Sequence, residues 1–113
     1  MDVNELTIGQ ARELAALVGG GGEKTAAHPW VIGENYFIRT VTMAQTGKLV
    51  AVHAQELVLV DAAWIADTGR FAQAVKNADF AEIEPFPDKA QVIVGRAAII
   101  DAVRIDRLPR SQK

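Results

Sequence analysis

Between residues 35 and 62 the chain carries three runs of β-forming residues, NYFIRTVTM, LVAVHA and ELVLV, with only a few residues separating one from the next. Gaps that short admit antiparallel hairpins and exclude parallel crossovers, which need about a dozen residues or more. The spacing predicts a three-stranded meander with one turn at 45–48 and a tight one at Gln55. The stretch from Trp64 to Asp79 reads differently. Phe71 and Val75 stand at i and i+4 behind Asp67 or Thr68 as an N-cap, which predicts a short helix ending near Asn77, a helical insertion near 67–78. Pro85 and Pro87 then confine FAEIEPFPDK to an edge or a loop, and QVIVGRAAIIDAVRI adds two β runs hinged at 95–97.

Five short strands joined this closely predict a mainly β fold, a small five-stranded barrel of Sm or SH3-like type, because closure removes the sticky edges of an open sheet. Ahead of it, Leu6, Leu14, Leu17 and Val18, with Ala11 and Ala15, form an apolar stripe at helical spacing. Thr7 and Gln10 fit a capping box, Gly19 supplies the C-cap, and Gly20, Gly21 and Gly22 extend it into a linker. The expected organisation is therefore an N-terminal helix with a Gly-rich linker over 1–27, the barrel over 28–106 and a basic, mobile tail over 107–113.

A chain of 113 residues affords one core, and a hydrophobic share of 50% against 23% charged lies on the folded side of the disorder boundary. Twelve Lys and Arg against fourteen Asp and Glu provide no global positive field for a phosphate backbone. Cysteine is absent, which excludes disulfides, thiolate chemistry and Cys-based zinc sites. Acidic residues stand where a signal peptide needs basic ones, and no apolar run reaches the roughly 18 residues of a membrane span. These features predict a protein kept in the cytoplasm, with no membrane partner.

Two motifs invite chemistry and do not carry it. In GGGGEKT, residues 19–25, Glu23 separates the glycines from Lys24, and the segment follows a helix, whereas a phosphate-binding loop follows a strand. DTG at 67–69 resembles the active-site triplet of homodimeric aspartic proteases, but too few residues separate it from VIVGR for a substrate-covering flap. His28 and His53 have no partner at metal-ligand spacing. No catalytic residue, metal site or cofactor is expected. The seven aromatic residues read as core or interface packing. Arg39, Lys48, Arg70 and Arg96 would line an anion pocket if the fold gathered them.

At GKLVAVHAQELVLVDA, residues 47–62, the chain resembles the first signature of Sm-like proteins: Gly47, Leu49, Val52, then Leu57, Val58 and Leu59 followed by Asp61 and Ala62. VIVGRAAII is similar to the second signature with Gly95 and Arg96 in reversed order. Where such RNA binders place an Asp and an Asn, this chain has His53 and Glu56. The resemblance implies ligand contacts at Arg39, Lys48, His53 and Arg96, and edge-to-edge joining of barrels into rings. HPWVIGENYFIRTVTM, with TGKLVAV, DAAWIADTGRF and EPFPD, resembles a family of small proteins from tailed phages and prophages over 28–105. That resemblance implies a viral origin. The functional expectation is a phage-encoded, non-enzymatic structural or assembly protein, homo-oligomeric, in contact with other phage proteins. It would reside in the host cytoplasm or be incorporated in the virion. The alternative is an Sm-like ring that binds RNA or a small nucleotide, with a counter-defence role.

Overall fold

The computed structural model describes residues 28–113, so the expected N-terminal helix and glycine linker lie outside the described residues. One compact unit spans Val31–Lys113. Its strands are β1 (Asn35–Thr40), β2 (Ala44–Val52), β3 (Glu56–Asp67), β4 (Glu82–Pro85), β5 (Val92–Gly95) and β6 (Ile99–Arg104). A single helix among the described residues, α1 (Phe71–Asn77), lies between β3 and β4, and one 3-10 turn, Arg96–Ala98, joins β5 to β6. The fold is mainly β, as expected, with the helical insertion in place.

All strand pairs are antiparallel and form one sheet in the order β4-β3-β2-β1-β6, with β5 also paired to β3. This corrects the expectation of a closed barrel of five strands: there are six, and the ladder ends at β6 without returning to its start. The additional strand is β4, in the proline-flanked segment read as an edge or loop. The strand can form because Pro85 is its last residue.

β3 is long enough to serve two partners on one edge. Its first half pairs with β5 over 56–59 and its second half with β4 over 63–67, while β2 runs along its other edge. Between the halves the register with β2 slips by one residue, from Thr46↔Ala63 to Lys48↔Val60, and Asp61 takes a left-handed backbone at φ 51°. This is a β-bulge, which bends a strand and sharpens its twist. Gly47 lies beside it in β2, where a Cβ would come within 2.8 Å of Leu59 Cβ. The turn expected at 45–48 is therefore absent. Those residues lie in the first half of β2, and the chain reverses instead at 41–43, where Thr40 Oγ1 accepts from Met43 N at 3.2 Å and donates to its carbonyl at 2.9 Å.

Both faces of the β1–β2 pair are buried. Tyr36, Ile38 and Leu49 share one face with Leu57, Leu59, Ala62 and Val94. On the other, Phe37 packs with Ala63, Ile65, Ala74, Phe80, Ile83 and Ile105. The Phe37 and Phe80 rings are 5.2 Å apart and tilted, a favourable aromatic arrangement.

Candidate functional site

The four expected ligand contacts do not form one pocket. Arg39 and Lys48 fall on the same face of β1–β2, but Lys48 lies opposite Asn35, four residues along β1 from Arg39, or about 13 Å away at strand rise. Arg39 is also already engaged. Its Nε donates to Asp101 Oδ1 at 2.8 Å, its Nη2 bonds Oδ2, and its guanidinium lies 4.9 Å above the centre of the Phe71 ring. The hydrogen bond to Asp101 raises the Arg39 pKa, and the same bond holds the Asp101 carboxyl below its ordinary value.

His53 and Arg96 do come together. Arg96 Nη1 donates to the His53 carbonyl at 2.7 Å and to that of Ala54 at 3.4 Å, and its backbone N donates to Gln55 O at 2.9 Å. Arg96 thereby ties the β2–β3 turn to the end of β5. Arg70 stands at the start of α1, next in sequence to the Phe71 ring that Arg39 covers and away from the turn that holds His53 and Arg96. Asp67, expected as the helix cap, instead accepts from Gly69 N at 2.8 Å in a turn ahead of the helix, and Arg70 occupies the cap position with no side-chain bond.

The less expected feature is how the three sheet ends are finished. β4 is shielded. Ile83 and Lys113 exchange backbone hydrogen bonds of 3.0 Å in both directions, and Arg110 bonds the carbonyls of Ala62 at 2.6 Å and Phe86 at 2.9 Å and the Asp88 carboxylate at 2.7 Å. Residues 107–113, expected as a mobile tail, thus lie along β4 in this structure.

β5 and β6 have no such cover among the described residues. Ile105 N donates to Asn35 O at 2.9 Å, and antiparallel bonding alternates, so residues 101, 103 and 105 direct their amides at β1 while Ala102 and Arg104 direct theirs outward. By the same rule the Arg96 N bond to Gln55 leaves Ile93 and Gly95 of β5 facing outward. Ile93 is 67% exposed and Ile100 of β6 63%. Beside β6 an apolar groove of about 210 Å³ opens toward α1, lined by Phe37, Phe71, Val75, Asp101, Ala102 and Val103.

Sequence reading missed Asp101 and the groove. The pairing of Asp101 with Arg39 spans 62 residues and depends on strand register, which leaves no local signal. Among the described residues no three His, Cys, Asp or Glu side chains are grouped to hold a metal, and no helix is long and apolar enough to cross a membrane. No protein-family model, curated protein or solved structure matches the chain.

Proposed function

We propose that this protein is a non-enzymatic phage assembly protein built on an SH3-like strand order, which works by joining other chains, its own copies included, through its strand edges. The observation that carries this reading is the contrast between edges. β4 is covered by residues near 110–113 and ends in Pro85, with Pro87 just beyond, whereas β5 and β6 present outward backbone groups beside exposed isoleucines. Proteins ordinarily blunt such edges with charge, proline or cover, because they template pairing with another chain. An edge left open on both sides of one 3-10 turn suits a protein whose task is contact.

Two further observations support it. The order β6-β1-β2-β3 with β5 returning to β3 supports the SH3-like reading, as does the 3-10 turn that carries the chain from the β5 edge to the β6 edge. The charged groups resembling a ligand site are spent on the fold itself: Arg39 on Asp101 and Arg96 on turn carbonyls. The phage setting, with the host cytoplasm or the virion as its location, rests on the resemblance over residues 28–105. A ring holding RNA or a nucleotide is the second reading, favoured by the meeting of His53 and Arg96 at one turn. It predicts an RNA mobility shift at low salt that weakens as salt rises.

Native mass spectrometry of the protein purified from infected cells tests the proposal. A particle of several times 12.2 kDa, or one carrying other phage polypeptides, is expected. A monomer at every concentration with nothing copurifying would remove it.

A further inference from the structure

We infer that the β6 edge, together with the groove between β6 and α1, is a strand-addition site for an extended segment of a different protein, one that alternates apolar residues and carries carboxylates. This rests on reading the protein as a contact module and specifies the partner for one of its two open edges.

Three features of the site define the ligand. First, Ala102 and Arg104 offer outward N–H and C=O groups in register, the pattern that an added antiparallel or parallel strand satisfies with main-chain bonds. Second, odd-numbered residues of β6 share the face of Phe37 and Arg39, so Val103, 38% exposed, stands beside Phe71, 49% exposed, at the groove. Every second side chain of an added strand falls on that face, so the strand needs an apolar residue there. Third, the surroundings are cationic. Arg70 and Lys76 flank the groove-lining residues of α1, Arg107 follows those of β6, and Arg104 lies along the same edge on the opposite face of β6. Among the described residues Arg70, Lys76 and Arg104 have no ion-pair partner and Arg107 bonds the Asn77 carbonyl, while Asp101 is neutralised by Arg39. Asp67 and Asp106 oppose them in part, and Asp79 is paired with Lys113.

That charge argues against the β6 edge of a second copy as the occupant. Pairing β6 with β6 of another molecule about a two-fold axis would bring the same four cations of both chains to one seam, and like charges facing across an interface are penalised. A segment bearing carboxylates relieves them. The β5 edge remains for contacts between copies.

The test uses the full chain against a displayed library of random ten-residue peptides. Selected binders should share alternating apolar residues with acidic neighbours. A fluorescein-labelled synthetic peptide of the selected sequence should bind and shift the amide resonances of residues 100–104. Ala102→Pro removes an outward donor without breaking a β1 ladder bond, so the fold should persist and affinity should fall about tenfold or more. Arg104→Glu should also weaken binding about tenfold and flatten its salt dependence. Selection of uncharged or basic sequences, no binder at all, or affinity indifferent to Ala102→Pro and Arg104→Glu overturns the inference. If no peptide binds but Ala102→Pro lowers the native mass, the edge belongs to a second copy: the inference falls and the contact-module reading stands. A monomer that binds nothing removes both.

Discussion

Replacing Gly47 with alanine asks how tightly the bend of β3 is packed against β2. Gly47 has no positive φ, so the substitution is permitted by the backbone and on unfolded-chain entropy alone would stabilise by about 0.4–1 kcal/mol. Packing opposes it. The new Cβ would stand 2.8 Å from Leu59 Cβ, 3.0 Å from Leu59 Cδ1 and 3.3 Å from Ala62 Cβ. Rotation can move Cδ1, but Leu59 Cβ is fixed to the strand, and Leu59 is fully buried. The strands must separate, and overpacking of a core costs about 1–3 kcal/mol. Overpacking wins, with a net loss of about 1–2 kcal/mol and a fall in Tm of roughly 4–15 °C. Urea denaturation with calorimetry measures both. Gly95→Ala is the control: nothing lies within 4 Å of its Cβ position and its φ is -71°, so it should be neutral or stabilising by up to about 1 kcal/mol. Adding Leu59→Ala to Gly47→Ala should not rescue it, because the shortest contact is to Cβ, which alanine keeps. A neutral Gly47→Ala, or recovery in the double variant, would refute the reasoning.

Thr46 is fully buried with its hydroxyl unpartnered, so Thr46→Val should raise stability by about 1 kcal/mol in the same urea melts. Arg110→Ala strips three acceptors of a charged donor and should cost about 1–3 kcal/mol, with faster amide exchange at Ile83 and Lys113. Arg110→Lys should not restore it, since one ammonium cannot reproduce the fork. Asp101 has its pKa lowered by the Arg39 hydrogen bond, so the folded chain takes up this proton less readily than the unfolded one. Its contribution is present above the ordinary aspartate range and is lost as pH falls through the lowered value. Denaturation midpoints of the wild type and Asp101→Asn should therefore differ at neutral pH and converge in acid.

Much of the fold was legible because its signals are local. Phe71 and Val75 mark α1, the hinge read at 95–97 falls where β5 gives way to β6, and the alternating runs locate the strands of the meander. The failures come from tertiary override. AQTGK looks like a turn by composition, yet Gln45 and Thr46 are buried by partners on both sides, while the actual reversal uses Val41, 69% exposed. The bulge at Asp61 depends on the register between β2 and β3, and left-handed backbone at an aspartate has no local mark. The candidate site was less legible still. Arg39 reads as a candidate ligand contact because its partner comes from β6, and Ala102 carries no chemical signal, since what matters there is the direction of its backbone amide.

The claim that the β6 edge stands open for another chain is tested most directly by amide hydrogen exchange, resolved by residue, on dilute protein with and without partner. Ala102 and Arg104 should exchange rapidly when the protein is free, far faster than Ile38 in the central strand, and become protected when a strand is added. Equal protection of Ala102, Arg104 and Ile38 in the free, dilute chain would mean that the edge is already closed from within, contradicting the account.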